Sequence, residues 1–302
     1  MRTPPQQANP ETLQSFVREK LKDSLLIVVS NREPYVHFLE TGEVRCKRTV
    51  GGLATALDPV MRAVGGYWVA HGSGGADAEV TDGNGQVRVP PDDPRYTLQR
   101  IYLSKEENAG YYDGLANQAL WPLCHNAFTR PVFLQSHWEM YRAVNERFAE
   151  SVARIVGERK AVVFIQDYHF ALLPRMIKIR RPQAVCAQFW HIPWPPHKLF
   201  GIFPWKKELL DGMLGNDLLG FHVQEFCNNF LETVERELET GRDRLLELTS
   251  FDRDAARHLQ GQIAAVEKAD DLESFIIVAF ERGGLDGVMQ SKFGLRPRPR
   301  GV

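Results

Sequence analysis

The chain has 302 residues, 43% hydrophobic and 25% charged, which bounds it to a globular protein of one large domain or two ordinary ones. A formal net charge of −1 excludes a global field steering it to nucleic acid or a membrane surface, so an anionic ligand has to be held by a few local arginines. No apolar run reaches the roughly 18 to 20 residues that span a bilayer. The polar start MRTPPQQANPETLQ carries no signal-peptide core. Cys46, Cys124, Cys186 and Cys227 form no CxxC pair, which argues against zinc or a disulfide framework and fits a reducing cytoplasm.

Residues 1–22 read as a mobile arm ending in a short helix, and SLLIVVSNRE as a buried strand, Leu25 to Ser30, with a polar end. VGGLATALDPVMRAVGG follows as a Gly-Gly turn and a helix with Leu53, Leu57, Val60, Met61 and Val64 at helical spacing. Tyr67 to Ala70 is a second strand opening into the glycine loop of AHGSGG. A polar insertion with turn signals (DGNG, PPDDP) precedes an alternating strand in RYTLQRIYL. Helical segments fill about 133–156; AVVFI is a strand, FALLPRMIKIR a helix, and AVCAQFWHIPW a strand running into a proline-marked loop. KELLDGMLGNDLLGFHVQEFCNNFLETVERELE supplies a helix, a short strand at Leu218 to Phe221, and another helix. Short, apolar, unalternating strands between helices predict an α/β fold with a doubly wound parallel sheet. In such sheets ligands bind beyond the carboxyl ends of the strands. SNRE, AHGSGG, QDYH and HIPWPP all sit there.

Each cluster has a functional and a structural reading. Arg32 in SNREPY could fork onto a phosphate or pair on the surface with Glu33 or Glu43. Gly51 and Gly52 precede a helix N-terminus that can bind an anion, or they form a plain tight turn. Tyr111, Tyr112 and Trp121 could stack on a sugar face and donate to a phosphate, or fill the core. Asp167 in QDYH could accept from sugar hydroxyls or cap the helix expected from about Phe170. His191 in HIPWPP faces either a ligand or a structural partner, and the prolines after it fix the loop backbone. His71, His169 and His191 lack a compact metal-ligand spacing, so no metal is assigned.

Taken in order, VVSNREPY, VGGLATAL, WVAHGSGG, YYDGLANQALWPLCH, VFIQDYHFALLPRMI, QFWHIPWP and NDLLGFHVQEFCNNFLETV resemble the trehalose-6-phosphate synthase family of retaining glycosyltransferases, over roughly residues 25–235. The resemblance implies the N-terminal, Rossmann-like half of a GT-B architecture. It implies glucose transfer from UDP-glucose to glucose 6-phosphate with retention, and no cofactor beyond the donor substrate. By the same resemblance Arg32 holds the acceptor phosphate with Tyr112 and Trp121 beside it, and Asp167 binds acceptor hydroxyls. Gly51 and Gly52 lie against the donor diphosphate, and His191 contacts the donor glucose, with Asp167 and His191 as the catalytic pair.

Residues 23–240 thus read as an acceptor-side domain and 241–302 as a divergent or truncated segment. The latter does not show the family's Arg/Lys donor motif; Arg282 and Lys292 are ten apart. The expectation is a chain inactive or incomplete alone, completed by a separate donor-domain polypeptide or as a homo-oligomer. Two other readings stand beside it: a non-catalytic sugar-phosphate-binding subunit, and a related transferase with another phosphorylated polyol acceptor.

Overall fold

The computed structural model describes residue 21, residues 23–238, and two short strands, Ser250–Phe251 and Ile276–Ala279. The arm expected at residues 1–22 lies, but for Leu21, outside the described residues. So does most of the segment from 241 onward.

The strands are β1 (Leu25–Arg32), β2 (Tyr35–Glu40), β3 (Glu43–Arg48), β4 (Tyr67–His71), β5 (Gln86–Val89), β6 (Tyr96–Ile101), β7 (Ala161–Gln166), β8 (Val185–Phe189), β9 (Leu218–Phe221), β10 (Ser250–Phe251) and β11 (Ile276–Ala279). The longer helices are α1 (Gly52–Val64), α2 (Gln135–Val156), α3 (Leu173–Arg180), α4 (Lys206–Met213) and α5 (Gln224–Glu237). Nine strands form one sheet in the order β10-β11-β9-β8-β7-β1-β4-β6-β5. From β9 to β6 every pairing is parallel, with Leu25 opposite Ala161 and Ile27 opposite Tyr67. Both margins turn antiparallel: β5 against β6, and β11 between β9 and β10.

The central strands read as unbroken apolar runs because both faces are covered. Ile27 and Val29 point into the larger core with Val69, Val163 and Ile165, under α2 to α5. Val28 points the other way, with Trp68, Ala70, Leu98 and Met61 of α1. Gly66 enters β4 with φ +105°, and a Cβ there would run into the carbonyl of Leu26. Only glycine fits that backbone and that approach.

Three elements differ from the sequence reading. β2 and β3 form a separate hairpin whose turn residues, Thr41 and Gly42, both have positive φ, 50° and 85°. Two positive values suit the right-handed twist of the flanking strands. Ala109–Leu120 is a π-helix that continues into Trp121–Cys124. The helix expected from about Phe170 begins at Leu173, preceded by a 3₁₀ turn over Tyr168–Phe170.

Candidate active site

The carboxyl end of β1 carries a bulge: the pairing with β4 runs Ser30 to Ala70, then skips to Arg32 with His71. Ser30 Oγ donates to the Arg32 carbonyl at 2.7 Å and accepts from Trp68 Nε1 at 2.7 Å. A bulge re-aims the residues after it. Here it separates neighbours. Arg32 emerges exposed, and Glu33 turns inward. Arg32 Nη2 donates to the Tyr112 hydroxyl at 3.3 Å, and that bond lifts the guanidinium pKa further above its ordinary value. Neither Glu33 nor Glu43 pairs with it. Glu33 accepts from Arg100 Nε at 2.7 Å and from the Ser73 N–H at 2.9 Å. Arg100 also reaches Asp77 at 2.8 Å and His37 Nδ1 at 2.8 Å, all of them buried. This cluster fixes the hairpin, the glycine loop after β4 and the end of β1 to one another.

Thr49 ties the Gly51-Gly52 turn to the same place, donating from N to the Pro34 carbonyl at 2.9 Å and from Oγ1 to the Glu33 carbonyl at 2.7 Å. Gly51 caps α1 with extended backbone, and a Cβ on Gly51 or Gly52 would meet nothing within 4 Å. Packing alone therefore does not demand either glycine.

The π-helix divides its aromatics. Tyr111 is fully buried, a core residue. Tyr112 is partly buried, bonds Arg32, and stacks on His169 with centroids 5.5 Å apart and planes at 15°. Trp121 is 43% exposed and stacks on His125 at 4.1 Å. Among the described residues no hydrogen bond or ring contact joins it to Arg32, Asp167 or His191.

At the end of β7, Asp167 has φ 70° and ψ 177°. That region is populated almost only by glycine and costs on the order of 1–3 kcal/mol, so the surroundings must impose it. They do so from several sides. The Asp167 N–H donates to the Phe189 carbonyl at 2.8 Å. Tyr141 of α2 bridges the turn, donating to the Tyr168 carbonyl at 2.7 Å and accepting from the Ala171 N–H at 2.8 Å. Asn145 Nδ2, one helical turn on, donates to the His169 carbonyl at 3.1 Å. Asp167 Oδ1 accepts from the N–H groups of Tyr168 at 2.9 Å and His191 at 3.2 Å. It thus caps a single 3₁₀ turn. Burial pushes its carboxyl up to about 6, against the pull of those two donors.

His191 Nε2 lies 2.9 Å from Gln166 Oε1. An amide oxygen only accepts, so Nε2 carries the proton and Nδ1 keeps its lone pair. Burial, with His222 beside it, lowers the imidazole to about 4 and keeps it neutral at pH 7. His169 lies between the rings of Tyr112 and Tyr168 and is held down to about 3 by burial, with the positive charge of Arg32 adding to the effect.

Arg32, Tyr112, His169, Tyr168, Asp167 and His191 therefore form one continuous chain of contacts along the carboxyl edge. It offers a fixed cation with a phenol at one end, and a carboxylate beside a neutral imidazole at the other. Gly51 and Gly52 are tethered beside it, and Trp121 stands apart. His169 and Gln166 were missed as site residues, although both flank Asp167 in QDYH. The signal was the run of polar residues closing an apolar strand. Two surface depressions, about 430 and 550 Å³, lie elsewhere, beside Arg147 and beside Phe133.

The profile of glycosyltransferase family 20 matches residues 24–266. A trehalose-6-phosphate synthase of Mycobacterium sp. (strain KMS) is 39% identical over 215 residues, covering 71% of this chain and 42% of the relative. Among solved structures, the E. coli trehalose-6-phosphate protein bound with UDP-2-fluoro glucose superposes with a TM-score of 0.57 at 25% identity, over 76% of this chain and 44% of that one. An alpha,alpha-trehalose-phosphate synthase (UDP-forming) from Burkholderia vietnamiensis gives 0.57 and 25%, over 70% and 43%. The chain spans less than half the length of the relatives it matches. With a mostly parallel sheet, polar strand ends gathered on one edge and a family profile covering most of its length, the chain belongs to glycosyltransferase family 20.

Proposed function

We propose that this chain carries the acceptor side of a cytoplasmic, retaining glycosyltransferase that moves glucose from UDP-glucose to glucose 6-phosphate. The observation that supports the reading is the contact chain from Arg32 to His191, which brings a cation and a carboxylate to the same edge of the sheet. Arg32 takes the phosphate by charge-assisted bonds, with the Tyr112 hydroxyl as a second donor. Asp167 accepts from sugar hydroxyls through Oδ2, which has no protein partner among the described residues. Among the described residues no second carboxylate touches Asp167 to share a glycosidase-type mechanism.

Gly51 and Gly52 would approach the donor diphosphate at the N-terminus of α1, which explains glycines that packing does not. His191, neutral with its Nδ1 lone pair free, accepts from a donor-sugar hydroxyl. A neutral imidazole suits a mechanism in which the leaving phosphate takes the acceptor proton. Fixed groups of this kind stabilise charge without reorganising during the reaction.

Calorimetry tests the reading. Glucose 6-phosphate should bind the 302-residue chain. Arg32→Ala should weaken it by roughly 1.5–3 kcal/mol, and glucose should bind more weakly still. Absent binding, or affinity unchanged in Arg32→Ala, would overturn it.

A further inference from the structure

Gln188 and Asn216 lie behind the Asp167 turn, 2% and 3% exposed. Two primary amides in an apolar core are costly unless their polar atoms pair. Their bonds run in one line. Asn216 Nδ2 donates to Gln188 Oε1 at 2.8 Å and to the Met213 carbonyl at 2.9 Å. Gln188 Nε2 then donates to the carbonyls of Asp167 at 3.1 Å and Phe170 at 3.3 Å. Gln188 is on β8, where burial alone would be served as well by leucine or methionine. What its amide adds is a clamp across the two ends of the Asp167–Phe170 turn. That turn contains the residue at φ 70°, and its own closing bond, Phe170 N–H to Asp167 carbonyl, is long at 3.4 Å.

We infer that Gln188, backed by Asn216, is a positioning residue for Asp167: its amide holds the strained turn that keeps Oδ1 on the Tyr168 and His191 amides and leaves Oδ2 for the ligand. The relay never touches substrate, and it couples the end of α4, through Met213, to the end of β7. The inference rests on the reading of Asp167 as a sugar-hydroxyl acceptor. Its structural half, that the relay holds the turn, is measurable without any sugar.

The test compares the 302-residue chain with Gln188→Met, which keeps the volume and loses the donor, and Gln188→Glu, which keeps the shape. Amide hydrogen exchange is followed at Tyr168, Ala171 and His191, and glucose 6-phosphate affinity by calorimetry. In Gln188→Met, exchange at the three amides should rise about tenfold while β1 and β7 stay protected. Affinity should fall about tenfold as the carboxylate loses its aim. Gln188→Glu should recover protection at the three amides as pH is lowered, because a protonated acid can donate one of the two bonds. Loss of packing would show no such recovery. Unchanged exchange at the turn, or a rise shared by the whole sheet, overturns the inference. So does a loosened turn with normal affinity. If the unmutated chain binds no glucose 6-phosphate, the sugar-phosphate reading falls and the exchange result alone decides whether the relay holds the turn. Should Gln188→Met not fold, Asn216→Ala decides on the same readouts, with a smaller rise.

Discussion

Asp167 is held by two amides, strained in its backbone and buried enough to ionise only with difficulty. Its folded pKa lies above its ordinary value, so the associated stability is complete below about pH 4 and is lost as pH rises through about 6. At neutral pH the ionised carboxylate therefore costs the fold about 1–3 kcal/mol. Asp167→Asn keeps the acceptor for both amides and removes the charge. Its melting temperature should exceed the parent's at pH 7 and match it at pH 4, while glucose 6-phosphate affinity falls. A variant no more stable at pH 7 would contradict the burial argument. Arg32 and Asp167 were legible in the sequence because each is a polar residue closing an apolar strand. The divergent fate of Glu33 was not, since a bulge at Asn31 sets which of two adjacent side chains faces out. Tyr111 and Tyr112 were equally indistinguishable, because only the packing of their helix on α2 and His169 separates core from site.

The long helix α2 does more than cover the sheet: Tyr141 and Asn145, one turn apart, reach the backbone of the 168–171 turn. Tyr141→Phe removes one hydroxyl and leaves a carbonyl and an N–H unpaired in the core. The expected loss is about 1–3 kcal/mol in denaturant unfolding. Faster exchange at Ala171 should accompany it, and an unchanged midpoint would mean the hydroxyl is dispensable. Strands and helices of the parallel core were readable because their apolar spacing follows burial on one or two faces. The π-helix was not, because its wider turn breaks the 3.6-residue period and makes aromatic and polar residues look irregular. The β2–β3 hairpin left a signal, Thr41-Gly42 between two runs of strand-forming residues, but β3 is exposed throughout and carries no apolar stripe.

Across the whole molecule, acid acts in two opposing directions, and the two imidazoles of the site carry the loss. His169 and His191 have folded pKa values of about 3 and 4, below the ordinary 6.5. The stability they confer is complete above pH 6.5 and is lost as pH falls through those values. Asp167 runs the other way between about pH 4 and 6, and so does Glu33, which burial raises to about 8. The parent's net change is therefore small, and His169→Phe, which removes one opposing group, should raise the melting temperature at pH 4 relative to pH 7 when compared with the parent. An identical pH profile in the variant would mean that imidazole is hydrated. The parallel sheet was legible in the sequence; its strand order and its antiparallel margins were not, since nothing local marks a strand's neighbour or an edge strand's direction. The cluster of Glu33, Asp77, His37 and Arg100 has a consequence for the hairpin. A lone two-stranded ribbon is marginal in water, and this one is held mainly through its first strand: Tyr35 packs in the smaller core and its carbonyl accepts from Arg100, while the His37 N–H donates to Asp77. β3 is exposed along its whole length, so fraying there should leave Tyr35 and His37 in place, and with them the end of β1 from which Arg32 projects.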